Sequence, residues 1–152
     1  MRLLQALTQA LKKAGASGNH IHSFADQGVI VPTGRDLGHG LEVGRFKYDA
    51  VIQVEGYRDD GMLFVAFVTA WLQVHDPKRE ALGLADPEID ISLNDDRTAD
   101  IELSIDFEES LEIVPDEDGP IHYNGQRWRV ADVPIDVAEE LDDMEGRADV
   151  EE

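Results

Sequence analysis

A chain of 152 residues has room for one domain, and its 42% apolar content is enough for a core, which excludes a disordered acidic chain. With 13 Lys and Arg against 33 Asp and Glu, the net charge of −20 excludes a free duplex-binding or anionic-lipid-binding surface, because both need clustered cations. The absence of cysteine excludes a disulfide scaffold, a thiolate metal site and a cysteine nucleophile.

Leu3, Leu4, Leu7, Ala10, Leu11 and Ala14 recur at helical spacing, with Lys12 and Lys13 in the last turn and Gly15 beyond it. The pattern predicts a helix of about 12 residues with a narrow core-facing stripe. Its lysines follow the apolar residues and no small-residue cleavage site comes after them, so the start does not read as a signal peptide. The longest apolar run, residues 62–72, is interrupted by Thr69 and is shorter than the roughly 18 residues of a membrane span. A soluble, cytoplasmic protein is expected.

Glycines 15, 18, 28, 34, 38, 40 and 44 punctuate the next stretch. Short strands are expected over residues 20–24 and 29–31, and an exposed glycine-rich loop over residues 32–44. From there Phe46, Tyr48, Ala50, Ile52 and Val54 alternate with mostly polar residues, the signature of a half-buried strand. Asp59 or Asp60 offers an N-cap to a helix over residues 63–74. In that helix Leu63, Phe64, Phe67, Val68, Trp71 and Leu72 share one wide face, which assigns Trp71 to the core, and Asp76-Pro77 stops it.

Ile89, Ile91 and Leu93 predict another strand, and Asn94-Asp95-Asp96 a turn. Ala99, Ile101, Leu103, Ile105 and Phe107 predict a long strand that pairs antiparallel with it. Alternation slips at Glu108-Glu109 before Leu111 and Ile113 resume, so a bulge is expected there. After a turn over residues 115–120, residues 121–123 and 127–130 flank Asn124-Gly125, a hairpin signal whose bounds also allow a loop longer than two residues. Residues 132–152 hold ten acids and one arginine, and Val133, Val137 and Leu141 suggest a short helix before a solvated acidic tail. These elements predict an α+β protein. A single domain spans residues 1–131, with a mainly antiparallel sheet of four to six strands and two principal helices on one face.

The search for chemistry assigns no catalytic, cofactor-binding or metal-binding residue, so an enzyme is not expected. Gly38, Gly40 and Gly44 do not have the spacing of a phosphate cradle, and G-x-S-x-G is absent. His20-x-His22 places two rings on one strand face without specifying a third ligand, and His39, His75 and His122 stand apart. Asp116-x-Asp118-Gly119 resembles part of a calcium loop, but an EF-hand alignment puts Val114 and Gly125 where acids are required.

Charge is spread unevenly. Residues 1–58 carry seven basic and five acidic side chains, a balance of +2, and residues 59–152 carry six and 28, a balance of −22. A near-neutral half carrying Arg35, Arg45, Lys47 and Arg58 suits the acidic surface of another copy, and head-to-tail contact of unlike patches builds rings or filaments. The bland reading is a solvated surface, with Arg45 and Lys47 paired to Glu102 or Asp106 on an adjacent strand. Trp128 between Arg127 and Arg129 reads either as an interface anchor or as a packed hairpin tryptophan with solvated neighbours. The candidate assembly residues are therefore Arg35, Arg45, Lys47, Arg127, Trp128 and Arg129.

The order of segments is itself informative: Phe46-Lys47-Tyr48-Asp49-Ala50, Gly61, Val68-Thr69-Ala70-Trp71-Leu72, Asp76-Pro77, Ile91-Ser92-Leu93-Asn94-Asp95, Thr98-Ala99-Asp100-Ile101-Glu102-Leu103 and Glu108-Glu109-Ser110-Leu111. The series resembles the GpR-type tail completion proteins of contractile-tailed temperate phages and their prophages, over about residues 1–114. The resemblance implies a structural virion protein with a tail-terminator-like fold and no catalytic residues or cofactors. It further implies action at the head-proximal end of the tail as a ring, possibly a hexamer, touching the tail tube and head-tail connector proteins. The competing expectation is an acidic protein-binding module that mimics nucleic-acid charge and acts on a basic host protein.

Overall fold

Side-chain alternation carries three long strands, and the two apolar helices close one face of the sheet they form. The computed structural model describes residues 1–131, and the expected acidic helix and tail over residues 132–152 lie outside the described residues. Helix α1 (Arg2–Lys13) leads into β1 (His20–Asp36) and β2 (Leu41–Tyr57), and α2 (Gly61–His75) follows. Then come β3 (Glu88–Leu93), β4 (Ala99–Pro115), β5 (Ile121–Tyr123) and β6 (Gln126–Val130). The sheet is antiparallel in the order β1-β2-β4-β6-β5, with β3 also paired to β4, which gives the predicted α+β architecture.

Paired residues share a sheet face, so the register defines the core. Tyr48, Ala50, Ile52 and Val54 of β2 lie opposite Phe107, Ile105, Leu103 and Ile101 of β4, and all eight are buried. Leu3, Leu4, Leu7 and Leu11 of α1 pack onto this layer with Phe64, Val68, Trp71 and Leu72 of α2. The Tyr57 and Phe64 rings meet edge-on, with centroids 5.4 Å apart. Asp60 caps α2 by accepting from the Met62 amide at 3.0 Å.

Two expectations are corrected. Residues 32–44 are not a loop: β1 and β2 are each 17 residues long, and only Leu37 to Gly40 turn between Asp36 and Leu41. Gly38 and Gly40 lie in that turn, whereas Gly34 and Gly44 serve the ladder. Gly34 sits where the register shifts, and a Cβ on Gly44 would lie 3.0 Å from the Val31 carbonyl oxygen.

There is also no bulge at Glu108-Glu109. β4 runs in unbroken register from Leu103 to Leu111, and the shift falls between Glu42 and Gly44 of β2. Glu109 keeps the inward phase of Phe107 because α1 needs an acceptor there. Its carboxylate accepts from the Arg2 amide at 2.9 Å and the Leu3 amide at 3.1 Å, and also from the Tyr48 hydroxyl. Met1 provides no side-chain cap, so a distant strand satisfies the first amides of the helix.

The second hairpin is tighter than the expected strands 121–123 and 127–130 imply, because β6 begins one residue earlier, at Gln126. Tyr123 faces Gln126 across a two-residue turn in which Asn124 (φ 52°) and Gly125 (φ 74°) both take the left-handed conformation. Arg79 donates to the Asp106 carbonyl at 3.1 Å and the Ala85 carbonyl at 2.8 Å, and the Ala131 amide donates to the Glu112 carbonyl at 2.9 Å. Together they occupy the edge of β4 between β3 and β6.

Candidate assembly surface

Beyond the N-terminus of α1 the three long strands continue as an arm, and the candidate residues gather there. Arg35 lies opposite Glu42, Arg45 opposite Ser110 and Lys47 opposite Glu108, all on the sheet face away from the helices. The pairing of β4 with β6 sets Arg129 beside Val114 and Trp128 beside Pro115 at the same end. Two groups of residues 80 or more positions apart in sequence thus share one end of the sheet.

Geometry separates these six residues into different roles. Glu42, only 3% exposed, accepts from Ser110 Oγ at 2.7 Å, Thr33 Oγ1 at 3.0 Å, Arg45 Nη1 at 3.0 Å and Arg35 Nη2 at 3.3 Å. The Ser110 hydrogen bond, joined by Thr33 and the two arginines, outweighs burial and holds the Glu42 carboxyl below its ordinary range. Arg45 also donates through Nε to Glu108, so its charge is used within the arm. The expected partners Glu102 and Asp106 are not its partners, because the register sets them opposite Gln53 and Asp49. Arg35 and Lys47 keep exposed side chains.

In the β5–β6 hairpin Trp128 is 5% exposed, and its Nε1 donates to the Tyr123 carbonyl at 2.8 Å. The packed reading of this tryptophan describes the chain by itself. Arg127 Nε donates to the Gly119 carbonyl at 2.8 Å, and Arg129 lies 3.7 Å from Asp116.

Farther along, the outer face carries a row of acids beside a row of uncharged residues, Phe24, Val51 and Ser104. Asp26, Asp49 and Asp106 stand side by side on three adjacent strands. Burial, then the charges of Asp106, Asp26 and Glu88, raise the Asp49 carboxyl above its ordinary value. Among the described residues no cluster of three or more His, Cys, Asp or Glu is placed to hold a metal, and no helix is long and apolar enough to cross a membrane.

Sequence reasoning missed Glu42 and Glu109. Each carried a signal only in retrospect: an acid on an inward or crowded strand position whose partners are remote in the chain.

A search of solved structures finds no match. A curated relative from Haemophilus phage HP1 (strain HP1c1), described as an uncharacterized 19.2 kDa protein in the rep-hol intergenic region, is 26% identical over 127 residues, covering 81% of this chain and 76% of its own length. The profile of P2 phage tail completion protein R (GpR) matches residues 1–132. A small α+β chain that presents an arm and an acidic sheet face, and whose sequence matches that profile over most of its length, belongs to the P2 phage GpR tail completion family.

Proposed function

We propose that this protein completes the tail by capping the head-proximal end of the tail tube as a ring, leaving it competent for joining to the head. The family match over residues 1–132 carries this reading, because tail completion is the shared property of that family. The unequal halves, +2 and −22, support a ring, since closed head-to-tail assembly needs two unlike surfaces on each subunit. Tail tube and head-tail connector proteins are the proposed partners, and the arm is the proposed contact. Arg35 and Lys47 are its outward charges. Arg45 and Trp128 shape the arm from within, and the exposed Arg127 and Arg129 flank them beside the Gly119 carbonyl and Asp116.

Light scattering on the protein alone and mixed with tail tubes tests the reading. The expected result is a discrete ring, alone or on tube ends. A chain that stays monomeric and ignores tubes overturns it. Lys47→Glu is expected to weaken tube binding while leaving the circular dichroism spectrum unchanged, because Lys47 is exposed. Arg45 is a poor test, since its removal also takes from buried Glu42 one of its two arginines.

A further inference from the structure

Among the described residues, the 17-residue β1 and the six-residue β3 each leave one edge of the sheet unpaired, and both carry apolar side chains in the open. β1 ends the strand order on one side, and β3 pairs with β4 on the other. On β1, Val29, Ile30 and Val31 are exposed, with Ile30 at 67%. On β3, Ile91 is exposed and Leu93 is 86% exposed. Beside β3 lies the start of α2, where Met62 and Leu63 are exposed and a Cβ on Gly61 would approach Ile91 to 3.1 Å. Edge strands with apolar residues in the open are templates for another strand, and proteins that stay monomeric blunt them.

We infer that the β1 edge over residues 29–31 pairs with the β3 edge of a second copy of this chain, so that the sheet continues from subunit to subunit. The inference rests on the ring reading and supplies its interface. The face parity of the two edges agrees. Ile30 sits opposite Phe46 on the helix side of the sheet, and Ile91 opposite Ile101 on that same side, so joining the edges groups Ile30 with Ile91, Leu93 and Met62. On the outer side, Val29 and Val31 lie beside Lys47 and Arg45, whereas β3 presents Glu88 and Asp90. Arg45 is held by Glu42 and Glu108, so the exposed Lys47, one strand in from the edge, is the cation that meets Glu88 and Asp90 across the join, whereas β3 against β3 sets acid against acid.

The boundaries of the pairing are set by the chain. The register shift between Asp26 and Val29 interrupts β1 on one side, and Pro32, which has no amide hydrogen, limits it on the other. The contact is heterologous, so it closes only when the rotation per subunit divides a full turn.

The absence of cysteine makes a clean test possible. Ile30→Cys copies are mixed with Leu93→Cys or Ile91→Cys copies carrying a tag of different mass, and the mixture is oxidised. A disulfide needs Cα atoms within roughly 7 Å, so only neighbouring strands cross-link. The mixed pair is expected to exceed either self-pair by on the order of tenfold, and the double variant Ile30→Cys/Leu93→Cys is expected to give a ladder ending at the ring. Ile30→Lys, at an exposed position, is expected to leave a folded monomer. Wild-type rings by light scattering with no mixed cross-link, with self-pairs dominant, or with cross-links only to a cysteine placed in the tube protein overturn the inference and leave the ring reading standing. A wild-type chain that never assembles, alone or on tubes, overturns both.

Discussion

Between Ala99 and Phe107, β4 turns every second side chain into a dry layer beneath two helices. Between Glu108 and Pro115 the same strand, in the same register with β2 as far as Leu111, carries Glu109, Ser110 and Glu112, and its neighbours there are a buried carboxylate and two arginines. The covered half is held by apolar burial and the arm by charge-assisted hydrogen bonds. Apolar burial is non-directional and carries no protonation state, whereas the arm's contacts depend on protonation and on every partner being present. The arm keeps Val29, Ile30 and Val31 in the open, and the covered half does the same with Ile91 and Leu93 on β3.

Substitution sharpens this contrast. The largest effect belongs to the covered half: Phe107→Ala, at a fully buried position, is expected to cost about 3–5 kcal/mol in urea unfolding, with loss of the whole domain. An equal cost from Glu42→Ala would erase the distinction between the halves.

Glu109→Ala is expected to cost about 1–3 kcal/mol, because the Arg2 and Leu3 amides and the Tyr48 hydroxyl lose their acceptor together. Glu109→Gln retains an acceptor and is expected to recover part of it. Amide exchange at Arg2 and Leu3 reads the effect at its source.

Glu42→Gln is expected to loosen the arm by about 1 kcal/mol while leaving the covered half intact, seen as faster exchange in residues 29–47 only. Acid gives the same result by another route. The folded state holds Glu42 below its ordinary carboxylate value, so its contribution is complete above that value and disappears as pH falls through the depressed one. The arm is therefore expected to open before the covered half during acid titration.

The smallest effect has the opposite sign. Asp49→Asn is expected to stabilise the protein by roughly 0.5 kcal/mol at low salt, because like charges directly opposite on neighbouring strands repel. Since the folded state raises the Asp49 carboxyl, its cost is present at neutral pH and lifts as pH falls through that raised value, so wild type and variant converge in acid and also in high salt.

The covered half was the more legible in the sequence for the same reason that it is the more robust. Leucines at helical spacing and apolar residues at every second position are local signals, and α1, α2, the β3–β4 pair and the Asn124-Gly125 turn follow from them. The arm follows from relations between remote residues. Gly34 and Gly44 look like loop glycines until the β1–β2 register gives them a place in the ladder. Glu109 looks like a break in alternation until the helix start arrives beside it. Sequence identified the candidate cations, but which of them remain outward depends on Glu42, Glu108 and Gly119, contacts that no local pattern announces.

The bond from Glu109 to the Arg2 amide also sets an order on biosynthesis, because it spans 107 positions. Helix α1 leaves the ribosome long before β4, and its leading amides wait for that strand to supply their acceptor. Until then β1 and β2 have each other but no β4, and the inner face of that hairpin has lost its other wall. Contacts of such long sequence separation slow folding, since a large loop must close before they form. The completed sheet, with its two outer edges in place, is therefore a property of the finished chain, which keeps a nascent subunit from presenting both edges of a fold it has not yet built.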